Sequence, residues 1–218
     1  MADGKHPSID PSNITALILA GGRGSRMGGV DKGLLLFNGT PLVQHCLNRL
    51  QASGAVGPML INANRHLDTY ASFGVPVLPD NLADFAGPLA GFMVGLAHCS
   101  TPYLLTLPCD TPLFPPNLAS RLAAALEAAQ ADIAMAGAPE TGDDGQLCLR
   151  PQPVFCLLRT ALRNSLTQFT QAGGRKVGAW TAQHHTVLVP FDQPGDHRHA
   201  FFNANTPTEL HQAEHHSP

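Results

Sequence analysis

Short apolar runs alternate with segments of helical periodicity along nearly the whole chain, and no other feature constrains the fold as strongly. The runs are rich in branched side chains, which is typical of strands buried on both faces. They lie at residues 14–19, 59–62, 75–78, 103–107, 131–136, 154–158 and 186–189. Helical segments follow at 41–53, 88–99, 115–130 and 160–171. This alternation predicts an α/β fold: one Rossmann-like, three-layer domain with a mostly parallel sheet and helices on both faces.

Capping residues and turn chemistry set the expected boundaries. Thr40 is suited to cap the first helix, with Pro41 at its first position and Gly54 at its end. A capping box from Thr206 to Glu209 predicts a final helix. The glycine- and acid-rich stretch 137–146 is expected to be a loop. We expect a disordered extension at 1–13, the domain at 14–212 and a His-containing tail at 213–218.

Polar groups follow four of the apolar runs. A glycine-rich loop follows the first run, and Asn62, Asp80 and Asp110 stand at the ends of three others. In open parallel sheets, ligands bind outside the carboxyl ends of the strands. These four groups are therefore expected to share one edge of the sheet.

The loop itself concentrates glycine and positive charge, in Leu19-Ala-Gly-Gly-Arg-Gly-Ser-Arg-Met-Gly-Gly-Val-Asp-Lys32. Glycine lets backbone N–H groups approach phosphates closely, and Arg23, Arg26 and Lys32 add cations, so a nucleoside triphosphate is the expected ligand. The loop lacks the Gly-Lys-Ser/Thr ending of a P-loop, and Met27 occupies the third glycine position of a dinucleotide fingerprint. A surface turn is the alternative.

Asp110 and Lys32 are the candidates for chemistry on the triphosphate. A carboxylate directly after a buried strand suits Mg²⁺, which takes one or two carboxylates together with substrate phosphates. The alternative for Asp110 is a turn cap, because Thr111-Pro112 follows it. Lys32 can neutralise phosphate charge as a point cation, or it is a solvated lysine for which Asp31 is the nearest partner.

Other polar groups are candidates for holding the rest of a ligand. Asn62 offers a donor and an acceptor to a purine edge, and Asp80 can accept from guanine N–H groups or ribose hydroxyls, although both also suit turns. The segment Gly87–Gly91 begins a helix whose N-terminus can receive an anion or a ring, or is an ordinary helix start. Asn203 and Asn205 precede the final helix and are ligand contacts or caps.

Composition and charge exclude several classes of function. The net charge of −3 over 218 residues argues against a nucleic-acid partner. Met1–Asn13 has no apolar core of a signal peptide, and no run approaches about 20 apolar residues, so we expect a cytoplasmic protein with no membrane partner. Five cysteines without a C-x-x-C pair predict neither a disulfide framework nor a zinc site.

Short motifs in a fixed order, spanning nearly all of residues 14–210, resemble those of the molybdenum cofactor guanylyltransferases, a family of nucleotidyltransferases. The matching segments, besides Asp80, are Leu19-Ala-Gly-Gly, Arg26-Met-Gly-Gly-Val-Asp-Lys-Gly, Asn62-Ala-Asn-Arg-His66, Gly87-Pro-Leu-Ala-Gly91, Pro108-Cys-Asp-Thr-Pro112 and Asn203-Ala-Asn-Thr-Pro207. The N-terminal thirteen residues and the His-rich tail have no part in the pattern, and residues 138–147 are hard to align with it.

The resemblance implies transfer of GMP from GTP to the terminal phosphate of molybdenum-bound molybdopterin, with release of pyrophosphate. It implies Mg²⁺ as cofactor on Asp110, with Lys32 and Arg26 neutralising charge at the reacting phosphates. The implied GTP contacts are Leu19, Ala20, Gly21, Gly22, Lys32, Asn62, Asp80 and Asp110. The implied molybdopterin contacts are Gly87, Pro88, the loop after residue 137, Arg175, Lys176, Asn203 and Asn205. Molybdopterin delivery proteins and recipient molybdoenzymes are further partners that it suggests.

Three rival functions remain at this point. Cytidylyltransferases acting on the same cofactor resemble Leu-Ala-Ala-Gly at the loop and lack Cys-Asp-Thr-Pro, so Gly21 and the segment Cys109–Pro112 favour guanine. A sugar-phosphate nucleotidyltransferase is disfavoured because the chain has no room for a second domain. A non-catalytic cofactor-binding protein is disfavoured because Lys32 and Asp110 are both present.

Overall fold

A computed structural model of the chain describes residues 9–21, 31–80, 87–142, 145–197, 199–204 and 209–211. The strands are β1 Ile14–Leu19, β2 Leu36–Phe37, β3 Thr40–Pro41, β4 Met59–Asn62, β5 Val77–Leu78, β6 Tyr103–Pro108, β7 Ile133–Thr141, β8 Leu147–Arg159 and β9 Thr186–Pro190. The helices are α1 Leu42–Ser53, α2 Leu67–Ala71, α3 Pro88–His98, α4 Leu118–Ala128, α5 Arg163–Gln171 and α6 Val177–Thr181. The seven apolar runs that were predicted as strands all form strands.

Seven strands form one sheet in the order β5-β4-β1-β6-β8-β7-β9. β8 runs antiparallel to both of its neighbours, and the other pairings are parallel. The predicted α/β architecture with a mostly parallel sheet is therefore confirmed. The order also brings β1 to the middle of the sheet, between β4 and β6, so that the three carboxyl ends lie side by side.

Alternate side chains of each strand enter two separate apolar layers. Ile14, Ala16 and Ile18 pack on one face with α1 and α4, whereas Leu17 packs on the other face with α3, α5 and α6. α1 buries Leu42, Val43, Cys46, Leu47 and Leu50 along one stripe, and Gly54 ends it in the left-handed conformation. Full burial of each such leucine contributes about 1.5–3 kcal/mol before the entropic cost of folding.

The start of α1 differs from the prediction. Thr40 does not cap the helix; Thr40 and Pro41 pair instead with Leu36 and Phe37 in a short hairpin. The turn is Asn38-Gly39, with φ of 47° and 75°, a dipeptide that favours tight hairpins because both residues accept positive φ. The helix therefore begins one residue later, at Leu42.

The prediction of a loop at 137–146 was wrong for residues 137–141, and residues 143–144 lie outside the described part of the chain. β7 continues to Thr141 and pairs with β8 from Leu147 onward, so the two strands form a long hairpin that extends beyond the carboxyl end of β6. A bulge between Met135 and Ala136 separates this extension from the buried part of β7.

Segments outside the main sheet also pack on the core. Ile9 lies against the α1/α4 layer, and Asp10 caps a 3-10 helix at Pro11–Asn13, inside the stretch expected to be an extension. Glu209–His211 is helical, whereas the predicted cap at Thr206 lies outside the described residues. Within the described part of the chain, no helix is both long and apolar enough to cross a bilayer.

Candidate active site

The carboxyl ends of β1, β4 and β6 form the floor of the site. Leu19 is level with Asn62 on one side and with Pro108 on the other. The Ala20 N–H donates to the Asn62 carbonyl at 2.8 Å, and the Cys109 N–H donates to the Leu19 carbonyl at 3.0 Å. The first residues beyond three strands are thus tied together through their backbones, as the predicted common edge requires.

A lysine and an aspartate from distant parts of the chain meet at this edge. Lys32 Nζ lies 3.1 Å from Asp110 Oδ2, and the two side chains are 28% and 18% exposed. A pair that is only partly buried keeps its charges accessible to a ligand. Asp31, the neighbouring candidate partner, does not pair with Lys32; its carboxylate accepts instead from the Gly33 N–H.

The loop that carries Asp110 is fixed from the C-terminal segment. The Ala204 N–H donates to the Asp110 carbonyl at 2.8 Å, and Thr111 Oγ1 donates to Asn203 Oδ1 at 2.6 Å. These contacts hold Asn203, one of the predicted ligand contacts, next to Asp110. The sequence indicated Thr111 as a turn residue and as part of the Cys109–Pro112 motif, but its side-chain link to Asn203 was not predicted.

Two buried thiols lie beneath the carboxylate. Burial, and then the charge of Asp110, raise the pKa of Cys46 to about 12 and the pKa of Cys109 well above its usual value. Both thiols are therefore neutral near pH 7.

Amide groups fix the other side of the site. Asn62 Nδ2 donates to the Leu78 carbonyl and to Asp80 Oδ1, both at 2.9 Å. Asn64 Nδ2 donates to Asp80 Oδ2, and the Asp80 N–H donates back to Asn64 Oδ1, both at 2.6 Å. Asn64 was missed as a site residue, although its spacing of two from Asn62 at a strand end places both amides beside Asp80.

Asn62 Oδ1 faces two glycines, Gly91 and Gly21. A side chain at either glycine would displace this oxygen. A Cβ at Gly91 would lie 2.6 Å from Asn62 Oδ1 and 2.4 Å from Leu19 Cδ2. A Cβ at Gly21 would lie 3.2 Å from the same oxygen. The glycines let β1, β4 and α3 approach closely around an amide that is only 2% exposed.

The predicted molybdopterin contacts are spread more widely. Gly87, with φ of 132°, precedes Pro88 at the start of α3, and both are exposed. Arg175 and Lys176 are exposed in the turn between α5 and α6, on the face opposite the α1 layer. The Arg175 guanidinium donates to the carbonyls of Thr170 and Gly174. Gly22, Arg26 and Asn205 lie outside the described residues.

The donor set fits Mg²⁺ bound jointly with a substrate. Asp110 supplies hard carboxylate oxygens, and within the described chain nothing donates a hydrogen bond to its Oδ1. The same residues contain no cluster of three His, Cys, Asp or Glu side chains that could hold a metal ion alone. Mg²⁺ commonly completes such a site with phosphate oxygens and water.

Comparisons with known proteins identify the family of the chain. The family described as MobA-like NTP transferase domain matches residues 16–195. The chain is 66% identical to a molybdenum cofactor guanylyltransferase of Albidiferax ferrireducens over 94% of this chain and 98% of that protein. It is 65% identical to one from Acidovorax sp., over 94% and 97%.

A solved structure shares the fold. Molybdopterin-guanine dinucleotide biosynthesis protein A from Archaeoglobus fulgidus superposes with a TM-score of 0.71 at 21% identity, covering 92% of this chain and 97% of that one. With the domain match and the high identity to these relatives, the chain belongs to the MobA-like NTP transferase family, among proteins named molybdenum cofactor guanylyltransferases.

Proposed function

We propose that this protein transfers GMP from GTP to the phosphate of molybdenum-bound molybdopterin, giving the guanine dinucleotide form of the cofactor and pyrophosphate. The observation that carries the proposal is the 3.1 Å approach of Lys32 to Asp110 at the ends of β1 and β6, in a chain of this family. A cation and a carboxylate at one sheet edge suit a reaction that works by positioning anions and neutralising their charge.

The proposed nucleotide site uses the groups at the ends of β1, β4 and β6. Backbone groups at Leu19, Ala20 and Gly21, together with Gly22, contact the phosphates, and Lys32 neutralises them. Asn62 and Asp80 hold the nucleoside. Because Asn62 uses both amide hydrogens within the protein, it meets the ligand through Oδ1 as an acceptor.

Asp110 is the proposed ligand of Mg²⁺. When bound there with the substrate phosphates, Mg²⁺ supplies neutralisation of charge at the α-phosphate and at the leaving pyrophosphate. Lys32 pairs with Asp110 Oδ2. The lysine side chain is therefore already held beside the proposed phosphate site and needs little reorganisation when the phosphates bind.

The attacking group needs no general base from the protein. A phosphate monoester has a second pKa of about 6 and is mostly a dianion at pH 7. The protein must instead reduce repulsion between two anions, for which Lys32 and Arg26 are the proposed cations.

The acceptor is proposed to lie on the side of the sheet formed by β8, β7 and β9. Asn203 is held beside Asp110 by Thr111, and Gly87 and Pro88 lie at the start of α3. These residues and Asn205 are the proposed contacts of the acceptor. Arg175 and Lys176 are proposed to meet the acceptor's anionic groups from the α5–α6 turn. We also propose a cytoplasmic location, with molybdopterin delivery proteins and recipient molybdoenzymes as partners.

The direct test is incubation of the protein with GTP, Mg²⁺ and molybdenum-loaded molybdopterin, followed by mass analysis of the product and measurement of pyrophosphate. We expect the guanine dinucleotide and one equivalent of pyrophosphate. Parallel reactions with CTP distinguish the cytidylyltransferase, and hexose phosphates as acceptors distinguish a sugar nucleotidyltransferase. Preferred turnover of CTP, or binding of the cofactor without any transfer, contradicts the proposal.

A further inference from the structure

The turn that carries Lys32 is anchored by a buried tyrosine. Lys32–Leu34 is a short 3-10 helix capped by Asp31, whose Oδ1 accepts from the Gly33 N–H at 3.2 Å. The same oxygen accepts from the Tyr70 hydroxyl at 2.5 Å. Asp31 is 7% exposed and Tyr70 is fully buried, so water competes little with this hydrogen bond.

Packing reinforces the hydrogen bond. A Cβ at Gly33 would lie 2.4 Å from the Tyr70 hydroxyl oxygen, so the backbone of the turn rests directly on the phenol. The ring is held from behind by Phe73, whose centroid is 6.2 Å away. Burial, and then the hydrogen bond to Asp31, raise the pKa of Tyr70 far above neutral pH. The hydroxyl therefore keeps its proton and acts as a donor.

The anchor joins the two sides of the site. Tyr70 lies on α2, which follows the segment that carries Asn62 and Asn64, whereas Asp31 immediately precedes Lys32. The contact between Tyr70 and Asp31 therefore fixes the distance from the amides of Asn62 and Asn64 to the Lys32 ammonium group.

We propose that Tyr70 is a positioning residue, which acts through Asp31 to hold Lys32 against Asp110 and the phosphates. The inference rests on the function proposed above. Loss of the hydroxyl frees the turn to move by a fraction of an ångström, and such displacements of a charged group are costly in a reaction that depends on positioning.

The chain contains two tyrosines, which provides a matched pair of variants. Tyr70→Phe removes only the hydroxyl at the anchor. Tyr103→Phe removes a hydroxyl whose partner is Arg159, at 3.4 Å, at the opposite end of the sheet. We expect kcat to fall about 10- to 100-fold for Tyr70→Phe with the KM for GTP changed less than about threefold, and both constants to stay within about twofold for Tyr103→Phe.

A double-mutant cycle separates positioning from general stability. GTP affinity is measured in EDTA, where Lys32 acts without a metal ion. Tyr70→Phe is expected to weaken binding about two- to threefold in the parent protein and to have no effect in the Lys32→Ala background. An equal loss in both backgrounds, or a kcat of Tyr70→Phe equal to that of Tyr103→Phe, overturns the proposal.

Two further measurements cover the remaining outcomes. If Tyr70→Phe does not fold, Asp31→Ala removes the oxygen that accepts from the Tyr70 hydroxyl and is expected to show at least the same loss of kcat; a parent-like kcat overturns the proposal. Amide exchange of Gly33 needs no nucleotide and should accelerate at least about tenfold in Tyr70→Phe. Unchanged exchange overturns the positioning role, whereas a parent protein that neither binds GTP nor transfers GMP overturns the proposed function.

Discussion

The two sides of the site are built differently. On the nucleotide side, the polar side chains are bonded to one another before any ligand arrives: Lys32 to Asp110, and Asp80 to both Asn62 and Asn64. On the side proposed for the acceptor, Arg175 and Lys176 are exposed in a turn. The β7–β8 hairpin carries an ion pair of Arg150 and Glu140 whose side chains are more than half exposed.

The difference indicates on which side of the site binding energy must be used to order side chains. Groups that are already fixed lose little entropy when the ligand binds, so the nucleotide side is suited to stabilise charge in the transition state. An exposed side chain such as that of Lys176 loses rotamer freedom on binding, so we expect the proposed acceptor side to contribute affinity more than rate.

The largest effect is expected at Asp110. Asp110→Ala removes the proposed metal ligand and the partner of Lys32, so kcat should fall by about 1000-fold or more. The fold should stay intact because the pair is partly exposed and contributes little to stability. Turnover at a range of Mg²⁺ concentrations, with a thermal melt, measures both quantities.

A second ion pair provides the control for that variant. Asp196 accepts two hydrogen bonds from Arg121 of α4, and the side chains of this pair are 10% and 19% exposed. Asp196→Ala should lower the free energy of unfolding by about 1–2 kcal/mol and keep kcat within about twofold. Parent-like rates in Asp110→Ala, or equal losses in the two variants, contradict the assignment of Asp110.

Two glycines of α3 distinguish the site from the core. Gly91→Ala places a methyl group against Asn62 Oδ1, whereas Gly95→Ala places one 2.6 Å from Leu17 Cδ2 and 3.0 Å from Leu104 Cδ2. Both additions overpack by about 1–3 kcal/mol, partly offset by better helix propensity. Only Gly91→Ala should raise the KM for GTP, by about tenfold. Equal KM values in the two variants would contradict a nucleotide contact at Asn62.

The nucleotide side could be predicted from the sequence because its groups stand at strand ends. Buried apolar runs locate the strands, parallel order aligns their carboxyl ends, and Asn62, Asp80 and Asp110 then share an edge without further information. The ion-pair partner of Lys32 could not be predicted from strand ends. Asp31 is its neighbour, yet the cap and Tyr70 use that carboxylate, and the lysine reaches an aspartate 78 residues away.

The acceptor side was harder because its structure depends on pairing between strands. Residues 137–146 have turn chemistry, but cross-strand pairing with β8 holds Ala138 to Thr141 extended. Strand preference depends on such partners more than on the local sequence. Arg175 and Lys176 follow no strand of the parallel set, so neither periodicity nor sheet topology assigns them a place beside Asp110.

A smaller effect is expected for the exposed cations. The double variant Arg175→Ala/Lys176→Ala should raise the KM for molybdenum-loaded molybdopterin about three- to tenfold, because exposed cations contribute on the order of 1 kcal/mol to an anion. The KM for GTP and kcat should stay within about twofold. Arg163→Ala, an exposed arginine at the start of α5, is the control. A change confined to GTP would move these cations to the nucleotide side.

The smallest effect is expected in the β7–β8 hairpin. Glu140 Oε2 lies 3.4 Å from Arg150 Nε, and both side chains are more than half exposed, so Glu140→Gln should change the free energy of unfolding by less than about 0.5 kcal/mol. Removing the carboxylate leaves Arg150 as an uncompensated cation on a hairpin that extends past β6. If this hairpin faces the anionic acceptor, kcat/KM for molybdopterin should rise up to about twofold at low salt and return to the parent value at high salt, where charges are screened. Gln152→Glu, which adds a carboxylate to the same hairpin, should lower it by a similar factor, and opposite signs in the two variants are what a merely structural hairpin would not produce.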